Sequence, residues 1–121
     1  MSVLRAIPIH VHAALEVVAA PLLLVAPFAL GFSYLAGVLS IALGVLLIGL
    51  GVSIFGEGER GPLPLMAHAG LDYTLAAATI VAGVVAGIAT GDLVATAFLV
   101  GFGSAHLALT ASTRFSRPLG A

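Results

Sequence analysis

A chain of 121 residues that is 61% hydrophobic and only 7% charged cannot cover a water-facing surface, for which about a quarter of residues are ordinarily charged. Its formal net charge of -1, with four Arg and no Lys, offers no basic patch to neutralise phosphates and argues against a nucleic-acid partner. The absence of Cys removes disulfides, thiolate nucleophiles and thiolate metal sites.

The apolar residues are therefore expected to face a lipid bilayer, in one all-α transmembrane domain over residues 1–121. Hydropathy places four spans at Pro8–Leu30, Leu35–Phe55, Pro64–Ala89 and Leu93–Thr113, each near the ~20 residues that cross the hydrocarbon as a helix. The segments do not alternate polar with apolar, so membrane β-strands are excluded. Arg5 ahead of the first apolar run has the look of a signal peptide. That run, however, reaches Leu30 and contains Glu16, so it is read as a retained first span. Pro21 and Pro27 are expected to kink it.

Gly and Pro punctuate the three breaks: Gly31-Phe32-Ser33-Tyr34, Gly56-Glu57-Gly58-Glu59-Arg60-Gly61-Pro62, and Thr90-Gly91-Asp92. Arg5, Arg60, Arg114 and Arg117 all fall on the side that holds both termini and the middle break. The positive-inside rule then predicts cytoplasmic termini in an inner, cytoplasmic membrane. Arg without Lys, with abundant Ala, Gly and Val, points to a high-GC bacterium.

A shift of 56 residues lays Pro8-Ile9-His10-Val11-His12-Ala13-Ala14-Leu15-Glu16 over Pro64-Leu65-Met66-Ala67-His68-Ala69-Gly70-Leu71-Asp72. Pro8 meets Pro64, His12 meets His68, Glu16 meets Asp72 and, further on, Gly31 meets Gly87. Such residues are rare in membrane spans, so the match predicts two parallel two-helix repeats, 8–55 and 64–113, related by an axis along the membrane normal. Arg5-Ala6-Ile7-Pro8, the two His-x-x-Leu-acid segments and Ala26-Pro27-Phe28-Ala29-Leu30-Gly31-Phe32-Ser33 resemble the SPW-repeat family of small bacterial membrane proteins. Here Ala-Pro-Phe stands where that family has Ser-Pro-Trp, and the second repeat has Ala82-Gly83-Val84. The resemblance implies the four-helix architecture and no particular activity.

The sharpest local pattern is ionisable. His12 and Glu16, and His68 and Asp72, are each four residues apart and so share a helix face. His106 on the fourth span falls at the same depth, and His10 and Met66 occupy first-turn positions at its periphery. A carboxylate within a span costs about 2.5–3.5 kcal/mol on insertion scales, so both faces are expected to turn inward and meet.

Four readings are open for that cluster. It is a set of interhelical hydrogen bonds that fixes register; a transition-metal site of His12, Glu16, His68, Asp72 and His106; a proton or ion pathway in an oligomer; or, least favoured, axial haem ligation by His12 and His68. With no catalytic motif, the leading expectation is a non-enzymatic scaffold or accessory subunit that self-associates or docks on a larger membrane complex. A metal- or ligand-binding membrane protein is the alternative, and the pathway comes third.

Among the remaining residues, Thr79, Gly83, Gly87 and Gly91 form a small-residue stripe expected to seat a neighbouring helix of the same chain, with Gly101 and Gly103 as its counterpart. Phe28, Phe32 and Tyr34 read as interfacial anchors. Tyr73 either joins the cluster or faces lipid.

Overall fold

In the computed structural model, residues 5–55 and 64–116 are described. They form four long helices: α1 (Ile9–Ala29), α2 (Tyr34–Val52), α3 (Leu65–Thr90) and α4 (Leu93–Ala111), with a 3-10 turn at Ser53–Phe55 continuing α2. All four are long and apolar enough to cross a membrane, as expected for a multi-pass membrane protein. Pro21 and Pro27 lie inside a continuous α1. Glu57, Glu59 and Arg60 of the middle break, and Arg117, lie outside the described residues.

The packing is hairpin by hairpin. α1 lies along α2, α3 along α4, and α2 against α3, while α1 and α4 touch only sparingly. The core between the hairpins is Ala20, Leu23, Leu43, Leu47, Ala82 and Leu99. Many of the other apolar side chains, such as Val18, Leu22, Val45 and Ile88, are exposed on the outside of the bundle. That is the inside-out distribution lipid requires, since a lipid-facing Leu costs nothing to leave uncovered.

Small residues set the approach within the second hairpin. A Cβ on Gly83 would meet Leu99 and Val100, and one on Gly87 would meet Thr96. The neighbour is thus α4 of the same chain. Gly91 is not part of that face. It follows α3 with φ +73, as Gly31 follows α1 with φ +66, a left-handed conformation that favours glycine. Gly31 and Gly87, paired by the 56-residue shift, therefore occupy unlike positions, because α3 runs 26 residues against 21 for α1. Buried positions of α2 recur in α4 at a separation of 59 rather than 56: Ala36 by Ala95, Ser40 by Leu99, Gly44 by Gly103, Leu47 by His106 and Gly51 by Thr110.

Both ends are tied. At the end holding the termini, Ile7 N–H donates to Ser112 O (3.0 Å) and Arg114 N–H to Ile7 O (2.9 Å), clamping the segment before α1 to the segment after α4. At the other end, Asp92 caps α4 by accepting from Ala95 N–H (3.0 Å) and reaches across to accept from Ser33 N–H (2.7 Å). Phe28 and Tyr34 are exposed there, 79% and 89%, as anchors would be. Phe32 instead turns inward onto Phe98, ring centroids 5.9 Å apart, and packs on Ala36, Ala86 and Ala95, because its place in the tight turn aims it at the partner hairpin.

The backbone N–H groups of Ser33 and then Ala95 hold the Asp92 carboxyl below its ordinary range. A carboxyl depressed on folding stabilises above its unfolded pKa, and the contribution disappears as pH falls through the folded value. Asp92→Ala should therefore lower the unfolding temperature at neutral pH. The gap to the parent protein should close on acidification into the carboxylate range, a comparison made by circular dichroism in detergent.

Candidate metal centre

Three helices deliver the site. His12 and Glu16 lie one turn apart on α1, His68 and Asp72 one turn apart on α3, and His106 on α4 enters from the third side. Their exposures are 0%, 1%, 0%, 0% and 5%, so the cluster is all but closed to water and lipid, and His106 keeps the largest remaining edge. Thr113, just after α4, and Ser53, just after α2, close the end nearest the termini. Phe115 packs over that end, its ring centroid 5.4 Å from His12, which it meets edge-on, and 6.2 Å from His68.

Each Nε2 faces two carboxylates at once. His12 Nε2 is 2.9 Å from Glu16 Oε2 and 2.9 Å from Asp72 Oδ2. His106 Nε2 is 3.0 Å from Glu16 Oε2 and 3.1 Å from Asp72 Oδ1. His68 Nε2 is 3.1 Å from Asp72 Oδ2 and 3.5 Å from Glu16 Oε1, without the alignment of a hydrogen bond to either. His68 Nε2 and Glu16 Oε1 are consequently buried without a hydrogen-bond partner among the described residues, as is Thr110 Oγ1.

The outer ring nitrogens explain why Nε2 points inward. The Thr113 hydroxyl spends its single proton on Leu109 O (2.6 Å), so it accepts from the Nδ1–H of His12 (2.8 Å). Ser53 likewise donates to Leu50 O (2.6 Å) and faces His68 Nδ1 at 3.4 Å. A neutral imidazole protonated on Nδ1 presents an Nε2 lone pair. That is the tautomer in which a histidine ligates, with its other nitrogen held by an outer partner.

His12, Glu16, His68 and Asp72 each offer a ligand atom, all within 4.8 Å of one another, and His106 adds a fifth donor. Donors around a first-row ion at about 2.1 Å stand roughly 3.0–3.4 Å apart, close to the 2.9–3.5 Å separations above. Three imidazoles and two carboxylates also suit a divalent cation in charge.

His10 and Met66 lie outside the cluster. His10 is exposed and beside Phe55 at 6.1 Å, and Met66 is 79% exposed. Tyr73 is 41% exposed and takes no part. Thr113, Ser53 and Phe115 carried no sequence signal, being neutral residues at helix ends that reach the site only through the fold. No family model, curated protein or solved structure matches the chain.

Proposed function

We propose that the protein holds a first-row divalent transition metal inside the membrane through His12, Glu16, His68, Asp72 and His106. The observation that carries this reading is the position of each Nε2 between two carboxylates. An N–H shared between two acceptors is poorly aligned with each and bonds each more weakly, whereas one lone pair in a coordination shell stands naturally between its neighbours. Five N/O donors without sulfur exceed the four of a structural zinc site and favour iron or manganese. The two carboxylates offset the ion's charge, which keeps the whole centre neutral in hydrocarbon.

This reading takes precedence over the scaffold expected from the sequence, since register alone would not need five ionisable groups on one point. The apolar core of Ala20, Leu23, Leu43, Leu47, Ala82 and Leu99 separates the cluster from the opposite end of the bundle, which supports holding rather than conducting. The His12 and His68 rings stand 6.0 Å apart with carboxylates between their Nε2 atoms, an arrangement without a slot for a porphyrin.

We read the chain further as two parallel two-helix repeats related to the SPW-repeat proteins, in a bacterial cytoplasmic membrane with both termini inside. The recurring buried positions and the Arg bias support this.

Protein purified in mild detergent should contain near-stoichiometric metal by elemental analysis. Thr113→Val removes the acceptor that holds His12 in its ligating tautomer. It should weaken metal binding about 10–100-fold, the usual effect of losing such an outer partner, and Thr113→Ser should restore it. Metal-free protein that also fails to take up iron, manganese, cobalt or zinc would overturn the proposal.

A further inference from the structure

The sparse contact between α1 and α4 leaves a lateral groove of about 400 Å³, walled by Leu15, Ala19 and Ala105 among others and floored by Glu16 and His106. A second groove of about 350 Å³ runs between α2 and α3, walled by Leu46, Leu50, Leu71 and Leu75. The two are counterparts. Leu15 and Leu71 are 56 residues apart on the first helices of the hairpins, and Ala105 and Leu46 are 59 apart on the second.

They differ in one respect that bears on chemistry. The α2/α3 groove is lined by apolar residues and Gly49, and a Leu75 fills the place of Ala19. The α1/α4 groove is wider at that wall and ends on two members of the ionisable cluster. His106 is the member whose side chain keeps some exposure, 4% against 0% for the other four groups that face it or one another. Its Nε2 faces the carboxylates, and its Nδ1 has no partner among the described residues. A polar edge at the floor of an apolar groove asks for a ligand with one polar atom on an apolar body.

Depth and lining narrow the ligand. Glu16 lies seven residues into α1, roughly 10 Å below the helix end, within the ~30 Å hydrocarbon slab. A molecule entering sideways between α1 and α4 crosses lipid, so it arrives uncharged, because an ionised head would pay the cost of entering hydrocarbon. Among the described residues no Arg or Lys lines the groove, so nothing in that lining matches a phosphate head.

We propose that the α1/α4 groove binds an uncharged, single-chain lipophile with a terminal oxygen function, an alcohol or aldehyde, admitted from the bilayer with its oxygen at His106. Occupancy of the groove rests on the groove itself. That the oxygen meets the metal's shell rests on the metal reading above.

The test uses the full chain in phosphatidylcholine liposomes, with hexadecanol carrying a mid-chain diazirine as the probe, and with metal content measured on the same preparation. After photolysis, labelled peptides should map to 15–22 of α1 and 102–109 of α4, at least five-fold above the α2/α3 groove. Unlabelled hexadecanol should compete, and hexadecane, which lacks the oxygen, should compete at least five-fold less well. Ala19→Leu, which copies Leu75 of the second groove, and Ala105→Trp should each cut the labelling at least five-fold with metal content unchanged. Equal labelling of the two grooves, equal competition by hexadecane, no labelling because a second copy covers the seam, or indifference to both substitutions would overturn the proposal. Groove labelling in protein that takes up no metal would overturn the metal reading and leave the groove's occupant standing.

Discussion

Asp72→Asn should strip the protein of its metal and of much of its stability together. Asp72 Oδ2 lies 2.9 Å from His12 Nε2 and 3.1 Å from His68 Nε2, and its Oδ1 lies 3.1 Å from His106 Nε2. A single carboxylate thus joins all three helices that bear histidines. The amide keeps the shape and loses the charge, which leaves Glu16 as one negative group against a divalent ion in hydrocarbon. Losing an outer partner of a ligand costs 10–100-fold in affinity, and losing a ligand with its charge should exceed that range.

The same substitution breaks a fully buried charge cluster by removing one side, a change that costs about 3–5 kcal/mol. Elemental analysis after gel filtration and thermal unfolding followed by circular dichroism measure the two effects. His10→Ala, at an exposed position outside the cluster, should move neither. If Asp72→Asn kept its metal and melted with the parent protein, the five groups would be neither a metal centre nor a keystone of the bundle.

The parts of this site that were legible in the sequence are those with a large energetic penalty elsewhere. An apolar helix shows in hydropathy because lipid leaves no other place for it, and the four spans agree with α1 to α4 to within a few residues at each end. Glu16 and Asp72 stood out because a carboxylate within a span must find partners. Their four-residue spacing from His12 and His68 named two of those partners. His106 followed from depth alone.

Thr113 had no such mark. Hydroxyls are tolerated anywhere near a helix end, and its bond to His12 spans 101 positions of chain. Phe32 was misplaced for a related reason: an aromatic residue at a span boundary suits the interface, and only the direction of the turn after Gly31 sends it inward. The pairing of Gly31 with Gly87 shows a different limit. Residue matching holds its frame only until the two first helices differ in length, and the structural counterpart, Gly91, lies beyond the extra turn of α3.

Gly103→Ala should loosen the hairpin that brings His106 to Asp72, even though it adds a single carbon. A Cβ at Gly103 would stand 2.7 Å from Ile80 Cγ1, 2.9 Å from Ala76 O and 2.9 Å from Ile80 N. The side-chain carbon can rotate away, but the two backbone atoms belong to α3 and move only with the helix. Overpacking of this kind costs roughly 1–3 kcal/mol. In a membrane, helix association depends on close packing rather than on expulsion of water, so separated helices recover little of that loss from the solvent. The displacement also acts on the site. Gly103 is three residues from His106 on α4, and Ala76 is one turn from Asp72 on α3, so the 3.1 Å approach of His106 to Asp72 lengthens with the helix spacing. Metal affinity and unfolding temperature should therefore fall together in Gly103→Ala. Gly101→Ala, where nothing lies within 4 Å of the added carbon, should leave both unchanged on the same helix. A Gly103→Ala protein that lost stability yet kept full metal affinity would show that the α3/α4 spacing supports the bundle without setting the geometry of the centre.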